Sequence, residues 1–493
     1  MMDILGNNPG LVLATGAAIT LGGLYFYCAG QEEKIHIPSD LNLQSEQMES
    51  ISELRQESFT KAVNGCAWEV EKVYSFESSA TLGPEMIRCS RVYKDAKDGK
   101  FMKYLYEDGK TVYEAFRRGA KESNDGRCLG WRDGPGLPYQ WLNYNEALLR
   151  AHNFGSGLVS LGLSPGTETR VGIFAQNCVE WVLAEQSLYH YSMVVVPLYD
   201  TYGPEACSYI LEHGLSMVTI DHPEIYSNAL HFINCHLSTV VCDSDAKVNF
   251  LLDKRPPPLK RIILMKEIPE ATKLRGQKLG IAIIPFEEVE RIGAAKNQPP
   301  VPPKAEDVCT ICFTSGTTGK PKGVILSHGN VIACVSAVLH QLGNLKPNPQ
   351  DVMISFLPLA HMLERCCQVA IYMTGGCVGF WLGNVRGLAD DMKALKPTLM
   401  PAVPRILNRI HDTVWSKTNR NFFKRNLIKL ALRSKEKELR RGVIRYNSIW
   451  DKLVFSKVRE GTGGCVRLIV VGSAPLAGNV LTFIRCALGC IVS

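Results

Sequence analysis

The sequence has little of what marks several familiar protein classes. Its 493 residues carry a net charge of only +7, and no recognition motif accompanies that charge, so we expect no nucleic-acid partner. Seventeen cysteines at irregular spacings are far fewer than the roughly 8–10% of a disulfide scaffold. No repeat of fixed period is present. With 46% apolar residues the chain is not mainly disordered, and its length predicts two to four domains.

Cysteine clusters of the kind that hold zinc are also missing. The one C-x-x-C pair is Cys309 and Cys312, and neither a second pair nor suitably spaced histidines follow it. In a strand, residues three apart also point to opposite faces. We therefore predict no metal site and interpret the cysteines as buried thiols of a protein facing the cytosol, with a redox or metal role as the alternative.

A run without charged residues extends from Leu11 to Ala29. Its 19 residues would form a helix about 28 Å long, close to the hydrocarbon thickness of a bilayer. Tyr25 and Tyr27 stand at one end, where interfacial aromatics are expected. A cleaved signal peptide and a buried core helix are the alternatives, although the stretch before the run has Asp3 and no Lys or Arg. We predict a single-pass anchor in membrane lipid over residues 1–34.

Two regions follow the predicted anchor. Residues 35–121 are polar and charged, and are interpreted as a linker with a small docking region. Residues 122–493 alternate helix-like stretches with apolar, strand-like runs, which predicts an α/β domain of parallel sheets flanked by helices. The runs before the proline-rich connector at residues 297–304 are Val171–Ala175, Met193–Pro197, Met217–Ile220, Thr239–Cys242 and Arg261–Leu264.

The positive charge is concentrated between Lys417 and Arg459. This segment has 14 Lys or Arg against three acids, a local charge of +11. Apolar residues from Phe422 to Leu432 alternate with the basic ones, as in a basic amphipathic helix. The helix could be a solvated face over a core, or it could bind an anionic surface such as lipid headgroups or a polyphosphate cofactor.

The clearest motif is the ten-residue segment Thr314-Ser-Gly-Thr-Thr-Gly-Lys-Pro-Lys-Gly323, between a strand-like run at Val308 to Phe313 and an apolar run at Val324 to Leu326. Its glycines let backbone N–H groups approach an anion closely, and its hydroxyls and lysines add donors and positive charge. The spacing fits neither the Walker pattern nor the dinucleotide fingerprint. The segment predicts a binding site for nucleotide phosphates, and a flexible polar hairpin is the alternative.

This segment resembles the signature loop of the AMP-forming adenylating enzymes. Other strings are similar to those of eukaryotic long-chain fatty acyl-CoA synthetases, and the resemblance extends from about Tyr104 to the end. The strings are Val171-Gly-Ile-Phe-Ala-Gln-Asn177, Val196-Pro-Leu-Tyr-Asp-Thr201, Leu357-Pro-Leu-Ala-His-Met362, Leu388-Ala-Asp-Asp-Met392 and Lys396-Pro-Thr-Leu-Met-Pro-Ala-Val-Pro-Arg405.

The resemblance implies a long-chain fatty acid:CoA ligase that uses ATP, Mg²⁺ and coenzyme A. Such an enzyme forms acyl-AMP and pyrophosphate, then passes the acyl group to the CoA thiol. His361 and Lys322 would be catalytic, with His361 where carboxylate and α-phosphate meet, or a structural histidine as the alternative. The resemblance also gives nucleotide-binding roles to the loop and to a strand end, at Thr314, Ser315, Gly316, Thr317, Thr318, Gly319, Lys322, Gly323, Gly472, Ser473, Ala474 and Pro475. Glu364 and Arg365 could instead form a local ion pair.

Relatives of this kind continue past the position of Ser493 into further nucleotide-contacting motifs and a small lid domain. The large domain is therefore expected to be incomplete at its carboxyl end, without the lid. Two functions stay open: the ligase, and a catalytically inactive form that acts as a membrane-anchored nucleotide-binding or regulatory partner. A different carboxylate substrate is a third possibility. The resemblance predicts a cytosol-facing catalytic part on the endoplasmic reticulum or the outer mitochondrial membrane, with its oligomeric state open.

Overall fold

The computed structural model describes residues 102–198, 237–314, 322–418 and 421–493, and the backbone of three strands at 35–36, 75–82 and 85–90. It has two compact units. The internal unit is Met102–Gly383, and the terminal unit combines Met1–Phe101 with Asn384–Ser493. The run Leu11–Ala29 and the run Met217–Ile220 lie outside the described residues. Among the helices in the described ranges, none is both long and apolar enough to cross a bilayer.

The described strands number eighteen in chain order. They are β1 (Ile35–His36), β2 (Ser75–Leu82), β3 (Glu85–Ser90), β4 (Arg127–Trp131), β5 (Gln140–Asn143), β6 (Arg170–Phe174), β7 (Val194–Pro197), β8 (Thr239–Cys242), β9 (Arg261–Leu264), β10 (Ala282–Pro285), β11 (Val308–Thr314), β12 (Lys322–Ser327), β13 (Val352–Ser355), β14 (Cys377–Phe380), β15 (Leu399–Ala402), β16 (Val443–Ile444), β17 (Leu468–Val471) and β18 (Ile491–Val492).

The described α-helices lie mostly between these strands. They are α1 (Val112–Glu122), α2 (Tyr144–Ser160), α3 (Val179–Tyr189), α4 (Asp245–Lys254), α5 (Glu270–Lys278), α6 (Phe286–Ala295), α7 (His328–Leu342), α8 (Met362–Met373), α9 (Leu388–Leu395), α10 (Pro404–Thr418), α11 (Phe422–Leu439), α12 (Ser456–Glu460) and α13 (Gly478–Leu488). Short 3₁₀ and π segments occur at Gly343–Leu345 and Asp451–Phe455.

The larger sheet of the internal unit confirms the predicted α/β class. Its strand order is β10-β9-β8-β6-β7-β11-β12. All neighbours are parallel except β12, which runs antiparallel to β11. The four residues of β7 and of β8 are all buried, as expected for strands covered on both faces. Of the predicted runs, Thr239–Cys242 and Arg261–Leu264 match their strands residue for residue.

Each unit has a further set of strands. In the internal unit β13, β14 and β4 are parallel neighbours, and β5 is antiparallel to β4. In the terminal unit β15, β17 and β18 are parallel neighbours, while β1 pairs with β16 and β2 with β3 in antiparallel fashion. The carboxyl ends of parallel strands lie at one edge of a sheet, which is where ligands of open α/β sheets bind.

Side-chain caps set where three helices of the internal unit begin. The side chains of Thr111, Asn143 and Ser327 each accept a hydrogen bond from the backbone N–H three residues on, and the backbone N–H of each cap donates in turn to the side chain of that third residue. These reciprocal bonds satisfy donors that a helix end leaves unpaired. The capped start of α7 at Ser327 follows β12 directly, so the segment after the predicted phosphate loop has a defined course.

The basic segment of the terminal unit contains α11, which is the helix that its pattern predicted. The buried face of α11 contains Ile428, Ala431 and Leu432. Farther along the helix, Lys435 Nζ lies 2.8 Å from Asp451 Oδ2, and both side chains are buried. Because a buried charge is stable only with a partner, this pair holds the end of α11 on the segment at 451.

Candidate functional site

The predicted phosphate loop joins the two strands of an antiparallel hairpin. β11 and β12 pair in a register that sets Thr314 opposite Lys322 and Phe313 opposite Gly323. Ser315, Gly316, Thr317, Thr318 and Gly319 lie outside the described residues, so their roles stay predictions. Thr314 is exposed at the end of β11, whereas Gly323 is buried. The hairpin therefore brings the two ends of the loop together at the edge where β11 ends.

His361 occupies the N-cap of α8. Its side chain is exposed, and its Nδ1 accepts a hydrogen bond from the Leu363 N–H at 3.2 Å. Since Nδ1 is an acceptor, the proton of the neutral ring is on Nε2. His361 can therefore present an Nε2–H donor to an anion at the start of α8, where the helix dipole also favours negative charge.

The loop before His361 is held by Asn177, which sequence reasoning quoted only as part of a shared string. Its amide nitrogen donates to Ser355 Oγ at 2.8 Å and to the Leu357 carbonyl at 2.6 Å. Its amide oxygen accepts from the Leu359 N–H at 3.0 Å. Three hydrogen bonds from one buried side chain fix the turn that leads to His361. The signal available in the sequence was an asparagine that follows closely on an apolar, strand-like run.

Glu364 is a second residue whose importance the sequence did not reveal. Its side chain is fully buried in the first turn of α8, and neither carboxyl oxygen makes a hydrogen bond of normal geometry. Burial raises its pKa to about 8, although Ser355, Gln368 and the Leu357 backbone oppose that rise. At neutral pH the group is therefore mostly a protonated acid directly behind the loop that carries His361.

Arg365 pairs with Glu185 of α3 and not with Glu364, so the suggested Glu364–Arg365 ion pair is wrong. Consecutive helical residues project about 100° apart, which separates the two side chains. Arg365 Nη1 donates to Thr310 Oγ1 at 2.8 Å, and Nη2 donates to Tyr189 Oη at 2.9 Å as well as to Glu185. The carboxylate of Glu185 raises the pKa of Arg365 against the opposing effect of burial.

The same network joins the hairpin to the helix that His361 caps. Thr310, four residues before Thr314, receives the Arg365 hydrogen bond described above. Cys312 Sγ lies 3.5 Å from Met362 Sδ, the residue that follows His361. The structure thus brings the end of β11 and the start of α8 together within the internal unit. Thr314 and His361, chosen separately from sequence, flank this contact.

Gly472, Ser473, Ala474 and Pro475 lie in the terminal unit, directly after β17. The strand-to-turn position that the sequence predicted is confirmed. Ser473 has a φ of 73°, in the left-handed region that is uncommon for residues other than glycine. Ser473, Ala474 and Pro475 are exposed. Backbone strain of this kind often accompanies ligand-contacting turns, and the nucleotide-binding role of these residues stays a prediction.

The cysteines with described side chains are unbridged, and most are buried. Cys309 and Cys312 are both buried in β11, and burial raises the pKa of Cys309 to about 12. The predicted interpretation of this pair as buried thiols is confirmed. Across the part of the chain that the structure describes, no group of three or more His, Cys, Asp or Glu side chains could hold a metal ion.

Comparison with known proteins gives a family and close relatives. The profile of the family described as AMP-binding enzyme matches residues 116–493. The chain is 47% identical over 398 residues to human long-chain-fatty-acid–CoA ligase 6, covering 80% of this chain and 54% of the relative. It is 43% identical over 401 residues to rat long-chain-fatty-acid–CoA ligase 5, covering 80% and 55%. The chain thus spans about half the length of the curated relatives it matches.

Solved structures show the same fold at low sequence identity. The A-PCP didomain of carboxylic acid reductase from Segniliparus rugosus, solved with AMP, has a TM-score of 0.60 at 18% identity and covers 79% of this chain and 53% of its own. A long-chain-fatty-acid–CoA ligase from Archaeoglobus fulgidus has a TM-score of 0.54 at 18% identity, covering 80% and 65%. The adenylating-enzyme fold is therefore present in this chain.

Proposed function

The chain belongs to the AMP-binding enzyme family, and from this premise we propose that it activates a long-chain fatty acid with ATP and transfers the acyl group to coenzyme A. The first step forms acyl-AMP and releases pyrophosphate. The second breaks the acyl–phosphate bond and forms a thioester. A carboxylate is a poor electrophile, and the AMP ester gives it a good leaving group.

One observation carries most of this proposal: the contact between the end of β11 and the start of α8. The hairpin places Thr314 opposite Lys322 across the loop that would hold the ATP phosphates. His361 caps the adjoining helix with Nε2–H available as a donor. An anion bound by the loop and a carboxylate bound by His361 would then lie side by side. Donors aimed at developing negative charge commonly contribute about 10²-fold or more to rate.

Mg²⁺ would enter this site with the nucleotide. Thr314 Oγ1 and the loop hydroxyls of Ser315, Thr317 and Thr318 are oxygen donors, which suit a hard cation and its phosphate ligands. When bound, the ion would neutralise charge on the departing pyrophosphate. The contribution of the chain itself is to hold the phosphates with Lys322 and the backbone N–H groups of the loop, and to orient the fatty acid carboxylate with His361.

The test is formation of acyl-CoA from radiolabelled palmitate by the purified full chain in detergent. Lys322→Ala should lower turnover by about 10²-fold or more, because it removes a cation that holds the phosphates. Lys320→Ala is the matched control, a lysine two residues away in the same loop, and should stay within a few-fold of wild type. No acyl-CoA from the wild-type chain would overturn the ligase proposal and leave nucleotide binding to be measured on its own.

Nucleotide binding is measured separately by titration calorimetry with ATP and magnesium. If the wild type shows heat of binding and Lys322→Ala does not, the result would support a phosphate-binding site at the loop even without turnover. That result together with a blank palmitate assay would favour the inactive, nucleotide-binding alternative. Absence of heat from the wild-type chain at millimolar ATP would contradict a phosphate-binding site at the loop.

We propose that α11 binds membrane lipid. The membrane would be that of the endoplasmic reticulum or the outer mitochondrial membrane, with the catalytic part of the chain facing the cytosol. Phe422 and Phe423 are 72% and 70% exposed, and Leu430 is 54% exposed. The exposed Lys429 and Arg433 project from the same side of the helix, opposite its buried face. Apolar side chains flanked by basic ones are typical of a helix that lies in a headgroup layer.

A photocrosslinker separates this contact from the predicted anchor at residues 1–34. Benzoylphenylalanine at Phe423 in the full chain, reconstituted into vesicles with phosphatidylserine, should crosslink to lipid. The same crosslinker at Leu149 of α2, which is 60% exposed but lies outside the basic segment, is the control. Equal lipid crosslinking from both positions, or crosslinking of Phe423 to a second copy of the chain, would contradict the proposal.

A further inference from the structure

A groove of about 720 Å³ runs along one side of α10 in the terminal unit. The side chains of this helix that line it are all polar or charged: Arg405, Asn408, Arg409, Asp412, Thr413 and Ser416. The opposite side of the helix packs on the core. Leu407 and Ile410 are buried there, and the rings of His411 and Trp415 lie 5.0 and 6.4 Å from the ring of Phe483 on α13. This packing fixes which side of α10 the groove occupies.

Two arginines stand at the amino-terminal end of the groove. Arg405 and Arg409 are exposed, and residues four apart on a helix have their Cβ atoms about 5–6 Å from each other. Within the described ranges, neither guanidinium has a hydrogen bond or an ion pair. The exposed side-chain amide of Asn408, on the same side of the helix, also has no partner among the described residues. Three side chains with unused N–H donors are therefore close together.

The acid in the groove does not neutralise these cations. Asp412 Oδ1 lies 2.9 Å from His411 Nδ1, and Asp412 forms no ion pair with Arg409 in the described part of the chain. The first turn of α10 has no acidic residue, although the positive end of the helix dipole favours negative charge there. Like charges four residues apart on a helix also repel each other. A bound anion would relieve both unfavourable interactions.

The arginine end of the groove lies where ligands of open α/β sheets bind. α10 begins two residues after Ala402, the last residue of β15, and Ala402 is the register partner of Val471 at the end of β17. The N–H of Gly472 donates to the Ala402 carbonyl at 3.2 Å. The start of α10 is therefore at the carboxyl edge of two parallel strands, beside the turn that begins at Gly472.

We propose that Arg405, Asn408 and Arg409 bind the phosphate group of a soluble ligand, at a site separate from the predicted phosphate loop. A guanidinium holds a phosphate through two parallel N–H donors, and two guanidiniums one turn apart can share its terminal oxygens. A helix that lies among lipid headgroups exposes apolar side chains next to its basic ones, as α11 does, whereas the residues that line this groove are all polar. A soluble phosphate compound therefore fits the groove better than a phospholipid.

The experiment measures protection of the two arginines from phenylglyoxal in the full chain in detergent. Inorganic phosphate at tens of millimolar is the probe, and sodium chloride at equal ionic strength is the reference. Chymotrypsin cleaves after Leu407, so that Arg405 and Arg409 are quantified by mass spectrometry on separate peptides. Both should react about fivefold more slowly with phosphate, as expected when a ligand is present at about four times its dissociation constant. Arg255, an exposed arginine of the internal unit, is the control and should react equally in both salts.

Variants test which side chains form the site. Arg405→Gln should abolish the protection of Arg409, and Arg409→Gln should abolish that of Arg405, because one guanidinium is then missing. Asp412→Asn should increase the protection of both, since it removes a negative charge from the groove. Lys322→Ala should leave the protection unchanged, because Lys322 belongs to the predicted phosphate loop. The readout does not depend on ligase activity, so a failed palmitate assay does not affect it.

Four outcomes would overturn the proposal. Equal protection by chloride would show charge screening only, and unprotected arginines at the highest phosphate concentration would show no binding. Protection by phosphatidic acid vesicles without protection by inorganic phosphate would show that the groove binds lipid headgroups. Loss of protection in Lys322→Ala would show that the groove is not a separate site.

Discussion

Asn177 donates a 2.8 Å hydrogen bond to Ser355, a residue 178 positions later in the chain. The bond joins the turn after β6 to the last residue of β13. Because both strands end at these points, one side chain ties together the carboxyl ends of two strands that belong to different sheets. Ser355 also accepts from Gln368 of α8 at 3.0 Å. The position of the His361 loop therefore depends on a buried polar network.

Asn177→Ala should destabilise the internal unit. It removes three hydrogen bonds and leaves the Leu357 carbonyl and Leu359 N–H buried without their partner, which costs about 2–4 kcal/mol. Chemical denaturation of the full chain measures the loss. Gln176→Ala, one residue earlier and exposed, is the control and should change the free energy of unfolding by less than about 0.5 kcal/mol. Equal losses of stability in Asn177→Ala and Gln176→Ala would contradict a structural role for the three Asn177 hydrogen bonds.

Glu364→Gln should remove a pH dependence. In the folded chain the pKa of Glu364 is raised to about 8, whereas in the unfolded chain it is near 4.5. The folded state therefore holds a proton that the unfolded state loses, and wild-type stability falls as pH rises from about 4.5 to 8. The variant should match wild type near pH 4.5 and become relatively more stable by up to about 1.4 kcal/mol per pH unit above it.

The measurement for Glu364 is the free energy of unfolding at pH 5, 6, 7 and 8 for both proteins. A difference that stays constant with pH would show that the carboxyl is ionised in the folded chain. Glu287→Gln on α6 is the control, since Glu287 is exposed and should show no such trend.

Arg365→Met should be strongly destabilising, by about 3–5 kcal/mol, because it leaves the buried carboxylate of Glu185 without a cation. Combining it with Glu185→Gln should recover part of the loss, since no unpaired charge then remains. The comparison is Arg275→Met, whose partner Asp253 is 64% exposed, with an expected loss below about 1 kcal/mol. Thermal and chemical unfolding of the three variants test this, and similar losses at both sites would contradict it.

His328 should make the fold sensitive to acid. Burial, and next the charge of Arg365, lower its pKa to about 3, and its Nε2 is buried without a hydrogen-bond partner. An unfolded chain takes up a proton on this ring near pH 6.5, while the folded chain does not until about pH 3. Stability is therefore lost as pH falls through that window, by up to about 1.4 kcal/mol per pH unit.

His328→Gln removes this titration, so the wild type should lose stability relative to the variant between pH 6.5 and 4. Unfolding free energies at half-unit steps of pH measure the trend. His340→Gln, at an exposed position on the same helix, should run parallel to wild type. A variant curve parallel to wild type for His328→Gln would show that the folded chain accepts the proton.

Much of the fold could be predicted because its signals are local. A short, continuous apolar run such as Thr239–Cys242 is typical of a strand that is buried on both faces. In the structure this run forms such a strand. The basic helix near Phe422 and the strand before Gly472 were predicted from period and composition in the same way. A hairpin was kept only as the alternative interpretation of the loop, and the antiparallel pairing of β11 with β12 was not predicted, because strand direction depends on which neighbour lies across the sheet.

The candidate site was predictable only in part. Loop residues such as Thr314 and Lys322, and the capping residue His361, stand in motifs that a single stretch of sequence displays. Asn177, Glu364 and Arg365 act through partners far away in the chain, so their importance has no local pattern. The sequence allows an ion pair between Arg365 and its neighbour Glu364, but the geometry of the helix directs Arg365 toward Glu185.

The sequence by itself determined the class of fold, the family resemblance and the chemistry available in the glycine- and hydroxyl-rich loop, since these depend on residue type and spacing along the chain. Only the tertiary structure decided which carboxyl group is left buried and protonated, and which arginine neutralises which acid. Those outcomes depend on distance and on exclusion of water, and both are set only when separate segments pack against each other.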